Sequence, residues 1–307
     1  MINCCKVPFE TIYLHHGWGS TCCPNWYDAY DKRTDYTQEP QDVWRGAVIE
    51  SHRREVASGD YSLCQRCPLV ADEGMKAPIR GDWEHGPKYV HIADSMTCNL
   101  HCWSCRAGRC LSDPLADSES AERFLRRFLE HYRTTIEEVT LLNSGEVFAS
   151  QRHVRLLNEF DWGTIGIGII TNATLIERKW ATVQKIHGSI QRFIVSLDAS
   201  NEETYSKVRL GGSWDAAVRG MELIRDLGRP LVLHYVISDK NVRDIARFAD
   251  WAQRWAPERV ELIPLARTYA RDDWADRDVF RSGHSLNHIL QTELATATTI
   301  PGVRLLS

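Results

Sequence analysis

Cys98-Asn99-Leu100-His101-Cys102-Trp103-Ser104-Cys105 places three thiols within eight residues. Soft thiolates favour zinc, copper(I) or iron–sulfur centres over hard cations. Cluster irons normally have four thiolate ligands, so a compact loop with three leaves one metal without a protein ligand. An open position marks a catalytic site and a closed one a structural site. The spacing alone also fits a zinc loop completed by His101, Cys110 or a distant residue.

The chain on the carboxyl side of Pro87 alternates short apolar runs with amphipathic stretches. Strands are predicted at Tyr89–Ile92, Val139–Leu142, Ile167–Ile170, Phe193–Leu197, Leu231–Val236 and Val260–Ile263. Helices are predicted at Ser118–Tyr132, Arg152–Phe160, Ile176–Ile186, Trp214–Leu227 and Val242–Trp255. A strand–helix–strand rhythm favours a parallel α/β sheet with right-handed crossovers, and six strands predict a partial (β/α)6 barrel. Functional groups of such folds gather at the carboxyl ends of strands. The three-cysteine loop follows the first predicted strand and falls at such an end.

The 307 residues carry 37 Lys and Arg against 41 Asp and Glu, a formal charge of −4. That balance gives no general attraction to nucleic acid or anionic membranes. The start, Met1-Ile2-Asn3-Cys4-Cys5-Lys6, lacks a charged region followed by an apolar one, and no apolar run is long enough to span a bilayer. The expectation is a cytoplasmic protein without membrane or nucleic-acid partners. All ten cysteines lie between Cys4 and Cys110, and in a reducing compartment clustered cysteines serve as metal ligands more often than as disulfides. Gly74, Pro78, Gly81, Gly86 and Pro87 interrupt regular structure between Ala71 and Pro87. The expected division is a small irregular Cys-rich module at 1–75, with one helix around Asp42–Ala57, a linker at 76–87 and the barrel at 88–307.

The cysteine run resembles the CxxxCxxC cluster loop of the radical SAM superfamily, and further motifs follow in that family's order. Asn143-Ser144-Gly145-Glu146-Val147 resembles the GGEP motif that binds the amino group of S-adenosylmethionine (SAM). Thr171-Asn172-Ala173-Thr174-Leu175 resembles its TNG-type turn, and Ser196-Leu197-Asp198 its SLD-type segment near the ribose. In Tyr205-Ser206-Lys207-Val208-Arg209 the arginine matches the one that pairs with the cofactor carboxylate. Departures are Ser144 for the first glycine, Val147 for the proline, Ala173 for glycine, and Ser104 where an aromatic usually precedes the last cysteine. Trp103 is then a candidate to cover the adenine or simply to pack. The resemblance implies a [4Fe–4S] cluster on Cys98, Cys102 and Cys105, with SAM held by Ser144, Gly145, Glu146, Thr171, Asn172, Ser196, Asp198 and Arg209. Carboxylates suit an ammonium and an arginine forks onto a carboxylate. Taken singly, Glu146 also suits a helix start, Asp198 a cap and Arg209 a solvated surface.

The amino-terminal cysteines resemble a SPASM or twitch auxiliary-cluster module placed ahead of the barrel. Cys5, Cys22, Cys64 and Cys67 are its implied ligands for an auxiliary [4Fe–4S] cluster, with Cys4 and Cys23 as adjacent alternatives and a Cys4-type zinc site as the bland reading. The implied activity is reductive cleavage of SAM to a 5′-deoxyadenosyl radical and hydrogen abstraction from a C–H bond. The expected outcome is oxidation or cross-linking of a ribosomally made peptide, with flavodoxin or ferredoxin as reductant. The second reading is a dehydrogenase or epimerase of a sugar or other small molecule, and a different class is a non-enzymatic electron carrier or zinc-dependent interaction protein. Arg267–Trp274 is an expected connection that doubles as a candidate substrate mouth, while His15, His16, His284, His288 and Cys110 are read as ordinary residues.

Overall fold

The computed structural model describes residues 2–15, 17–23, 34–35, 39–65, 67, 69, 73–79, 82–105, 110–111, 119–142, 144–265 and 273–306. His16, Asn143, the start of the Ser118 helix and most of the Arg267–Trp274 segment lie outside them. The chain packs as two compact units, one of residues 1–96, 112–144 and 159–167, the other of 97–111, 145–158 and 168–307.

The first unit contains, in chain order, β1 Ile2–Cys5, α1 Val7–Glu10, β2 Thr11–Leu14, β3 Trp18–Ser20, β4 Thr34–Asp35, α2 Pro40–Arg45, α3 Ala47–Ala57, β5 Lys76–Ile79, β6 Tyr89–Ile92, α4 Glu119–His131 and β7 Glu138–Leu141. β6 lies between β7 and β2 and is parallel to both, and β3 and β4 extend the sheet antiparallel beyond β2. The expectation of an irregular amino-terminal stretch therefore fails at Thr11–Leu14. Its buried Ile12 and Leu14 pack beside Val90 and Ile92 of β6, with no solvent exposure at any of the four. The proline- and glycine-rich stretch also keeps a strand, because among the described residues β5 pairs only with β1 and an edge tolerates Pro78. The helix predicted around Asp42–Ala57 is broken at Gly46, whose ψ of 149° is extended. α4 repeats Phe124, Leu125, Phe128 and Leu129 on one buried stripe, as an amphipathic helix should.

The second unit contains α5 Gln151–Glu159, β8 Gly166–Thr171 from Gly168 onward, α6 Ile176–Val183, β9 Ile190–Ser196, α7 Glu202–Val208, α8 Trp214–Asp226, β10 Leu231–Ile237, α9 Ile245–Ala252, β11 Arg259–Pro264, α10 Trp274–Arg277, α11 Asn287–Ala297 and β12 Val303–Leu305. The strands stand in the order β8–β9–β10–β11–β12, with β9 through β12 parallel. Tyr235 of β10 meets Phe248 of α9 at 4.6 Å between centroids, so the odd-numbered residues of β10 face helices. His234 therefore points to the opposite face. Asn201 and Ser213 cap α7 and α8 by accepting from Thr204 and Ala216 amides. The six predicted strands are present, while α7, α11 and β12 add elements that hydrophobic periodicity alone did not mark.

Candidate active site and family

The three-cysteine loop is pinned by backbone bonds within the second unit. The Cys98 amide donates to the Cys110 carbonyl at 2.6 Å, the His101 amide to Leu210 at 3.1 Å and the Trp103 amide to Val208 at 2.7 Å. Cys105 donates back to the Cys102 carbonyl at 3.0 Å. Burial pushes the Cys98 thiol up to about 12, although the Leu100 amide works against the rise. Cys102 also rises by burial, while the Arg209 guanidinium, with Nη1 3.5 Å from Sγ, favours its thiolate. Metal loading must therefore release protons from this loop. Among the described residues no three Cys, His, Asp or Glu are arranged to hold a single metal ion. A four-iron cube binds each thiolate to a different iron and does not need that arrangement.

Glu146 fastens two strand-end loops together. Its carboxylate accepts from the Thr171 hydroxyl at 2.7 Å, the Asn172 amide at 2.7 Å and the Phe148 amide at 3.2 Å, at 1 % exposure. Burial raises its pKa, and these bonds restrain the rise. The short-helix reading of Glu146 is thus realised at Phe148, but the same carboxylate also holds the Thr171 turn. Asn172 accepts from the Thr174 amide at 3.0 Å and donates to Asn99 of the cysteine loop at 3.1 Å. Ala173 adopts φ 62°, where a side chain costs about 1–2 kcal/mol, which explains glycine at the matching family position. Gly220 of α8 accommodates this turn, since a Cβ there would lie 2.1 Å from the Ala173 carbonyl oxygen.

Asp198, also at positive φ, accepts from the Val236 amide at 2.8 Å and pairs with Arg209 at 2.7 Å. Neither residue is a solvated surface group, at 1 % and 8 % exposure. Burial works against the Arg209 charge, but Asp198 and Cys102 hold its pKa above the ordinary value. The Arg209 Nε–H and the Tyr205 hydroxyl are buried without a hydrogen-bond partner among the described residues. A free guanidinium N–H beside a thiol loop suits a ligand carboxylate, and together with three thiols this donor set fits SAM and its cluster. Trp103 donates its ring N–H to Asp239 at 2.6 Å and has the Arg277 guanidinium 3.5 Å from its ring centroid. Ser144 belongs to the first unit, where its hydroxyl donates to the Ala93 carbonyl at 3.2 Å, and Gly145 opens the next stretch of the second.

Strand register sets Ser196 of the motif beside groups that motif reading missed. Ser196, His234, Glu261 and Arg304 occupy one row across β9, β10, β11 and β12. His234 Nε2 lies 2.8 Å from Glu261, which also accepts from Arg259 at 2.7 Å and is paired with Arg304. Tyr205 was within reach of sequence reasoning, since Asn201 followed by Glu202 and Glu203 is a helix-start signal.

The sequence profile of the Radical SAM superfamily matches residues 93–252, more than half of the chain. The chain belongs to the radical SAM superfamily. Members use a [4Fe–4S] cluster and SAM, and the parallel α/β sheet is of radical SAM type. The chain is 23 % identical to the AdoMet-dependent heme synthase of Methanosarcina barkeri over 205 residues, covering 65 % of this chain and 58 % of that protein. It is 26 % identical to the mycofactocin maturase MftC of Mycobacterium tuberculosis over 210 residues, covering 67 % and 49 %. It is 25 % identical to the probable GTP 3′,8-cyclase of Methanococcus maripaludis over 172 residues, covering 55 % and 56 %. The chain thus spans about half the length of the curated relatives it matches. Among solved structures, native anSMEcpe with bound AdoMet matches at TM-score 0.50 and 16 % identity, covering 69 % of this chain and 59 % of that one. Streptococcus suis SuiB bound to its precursor peptide SuiA matches at TM-score 0.49 and 16 % identity, covering 96 % and 70 %. At that identity the likeness to anSMEcpe concerns the fold alone.

A second set of thiols in this radical SAM protein lines a partly open cavity in the first unit. Cys5, Cys22, Cys23, Cys64 and Cys67 share its wall with Tyr13. Cys4 and Cys5 are consecutive in β1 and so point to opposite faces. Cys4, at 1 % exposure, packs with Phe9 and Val56 and does not itself line the cavity, although Val56 does. The amide of Cys5 donates to the Tyr61 hydroxyl at 3.3 Å, and the Cys67 amide to the Cys64 carbonyl at 2.9 Å. Burial raises the thiols of Cys5 and Cys22, and moves Cys64 to about 11, with the neighbouring thiols adding to each shift. Among the described residues no helix is long and apolar enough to cross a membrane.

Proposed function

We propose that this chain is a radical SAM oxidoreductase that modifies a peptide, using Cys98, Cys102 and Cys105 for its SAM cluster and Cys5, Cys22, Cys64 and Cys67 for an auxiliary cluster. When bound, cluster and SAM together supply one-electron cleavage of a sulfonium and a radical able to take hydrogen from an unactivated carbon. Arg209, anchored by Asp198, receives the SAM carboxylate through its unpartnered Nε–H. Glu146 holds the Thr171–Asn172 turn against the loop bearing Cys98 and leaves one carboxylate lone pair for the SAM ammonium. Ser196, in register with His234, is assigned to the ribose in this reading.

The observation that carries the oxidative reading is the cavity with five thiols around one space. Removing two hydrogens from a substrate leaves an electron to be accepted after the first abstraction, and a second cluster provides the acceptor. In this reading Cys23 is the spare thiol of the five, and Cys4, which packs with Phe9 and Val56, is not used as a ligand. Similarity to a maturase over two thirds of the chain supports a peptide substrate. Similarity to a heme synthase and a GTP cyclase supports the second reading, a small-molecule substrate. The localisation assigned to the chain is cytoplasmic, where flavodoxin or ferredoxin serves as reductant. The test incubates reduced holoenzyme and SAM with short peptides encoded beside its gene. The reading expects a peptide lighter by two hydrogens, formed only when the auxiliary cysteines are intact. A product from a sugar or nucleotide with no change in any peptide overturns the peptide assignment.

A further inference from the structure

The segment beyond the family match delivers a buried cation to the cysteine loop. Arg277 closes α10 and is 3 % exposed. Its guanidinium carbon stands 3.5 Å from the Trp103 ring centroid, and its Nη1 donates to the Trp103 carbonyl. Its Nη2 pairs with Asp273, whose side chain is 44 % exposed. The Nε–H is buried without a hydrogen-bond partner among the described residues. Trp103 itself sits between Cys102 and Cys105, so the charge is fixed to the backbone joining two thiols. Three other groups hold the same residue: Asp239 on the ring N–H, the Val208 carbonyl on the amide, and Lys240, whose Nζ is 4.9 Å from the ring centroid.

Packing alone needs neither a buried guanidinium nor its bond to a loop carbonyl, and an apolar side chain would cover Trp103 as well. The two members of the Arg277–Asp273 pair also differ in screening. The carboxylate meets water, which weakens its field, whereas the guanidinium is enclosed and its field is not screened. A cluster held by three thiolates gains one negative charge on reduction, and second-shell hydrogen bonds, burial and nearby charge set its potential.

We propose that Arg277 is a positioning residue that fixes Trp103 and raises the reduction potential of the cluster on Cys98, Cys102 and Cys105. The proposal rests on that ligand assignment. Its signature is a pair of opposite shifts. R277M removes the buried cation and lowers the midpoint, with a tenfold smaller reduced-to-oxidised ratio corresponding to about 59 mV for one electron. D273N removes the exposed counter-charge and raises the midpoint by a smaller amount, and R277K retains most of the wild-type value. The experiment is an EPR-monitored redox titration of anaerobically reconstituted full-length protein, with and without SAM, using thermal melting to confirm folding. D273N, altered at the exposed end of the pair, keeps the test available if R277M fails to fold. Equal midpoints in folded wild type, R277M and D273N, each bearing a SAM-responsive cluster, overturn the role of Arg277 alone. The absence of any SAM-responsive signal in the wild type, or a SAM-responsive signal that survives C102A, overturns the ligand assignment beneath it.

Discussion

The two cysteine regions set thiols that burial raises in both places beside different neighbours. In the second unit, the loop thiol of Cys102 touches the Arg209 guanidinium, and Trp103 beside it carries the buried Arg277. In the first unit, the cavity wall brings thiol next to thiol: Cys22 is pushed up by burial and then by Cys5, Cys64, Cys67 and Cys23. The guanidiniums beside the loop are therefore suited to stabilising added negative charge there, whereas the cavity groups thiols around one space. The contrast predicts that a reducing equivalent is used at the loop, where SAM can reach the open iron, and that the cavity does not cleave SAM.

The largest expected effect breaks the comparison outright. C98A, C102A or C105A should abolish 5′-deoxyadenosine formation, whereas C64A/C67A should keep it while iron falls from about eight to about four atoms per chain. Chromatographic product analysis with iron assay checks both, and loss of SAM cleavage in C64A/C67A would contradict the division of labour. Next, R209M strands Asp198 as a buried charge, an error worth about 3–5 kcal/mol of stability. Denaturant unfolding should register that loss, and titration calorimetry should detect weakened SAM binding.

A smaller change tests how tightly the Thr171–Asn172 turn is set. G220A drives a Cβ toward the Ala173 carbonyl, so overpacking should cost about 1–3 kcal/mol and raise the SAM dissociation constant. The smallest effect is on acid stability. Burial pushes the Glu261 carboxyl up, but His234, Arg259 and Arg304 outweigh burial and hold it well below its ordinary 4.5. A lowered carboxylate pKa stabilises the fold above 4.5 and loses that contribution as pH falls below it. Melting curves of wild type should drop more steeply than those of E261Q below pH 4.5, and parallel curves would remove the network from the account.

The same two regions explain what sequence reading recovers. Runs such as Phe193–Leu197 and Leu231–Val236 are apolar enough to stand out as buried strands, and the motif order located Glu146, Asp198 and Arg209. Thr11–Leu14 did not stand out, because four residues between a proline-containing helical turn and the short strand Trp18–Ser20 offer little periodicity. The Ser196–His234–Glu261 row exists only through strand register, which no local pattern encodes. Arg277 meets a carbonyl 174 positions away, so the sequence near Trp103 holds no sign of it. Cys4 and Cys5 are interchangeable as letters. Strand alternation distinguishes them: Cys4 is fully within the apolar cluster of Phe9 and Val56, while Cys5 packs at its border and lines the cavity.

The most direct test of the central claim is anaerobic incubation of the reconstituted protein with dithionite and SAM, followed by quantitation of 5′-deoxyadenosine and methionine. Equal amounts of the two products, lost on replacing any one of Cys98, Cys102 and Cys105, are the predicted result. Intact SAM over a fully loaded and reducible cluster would contradict it.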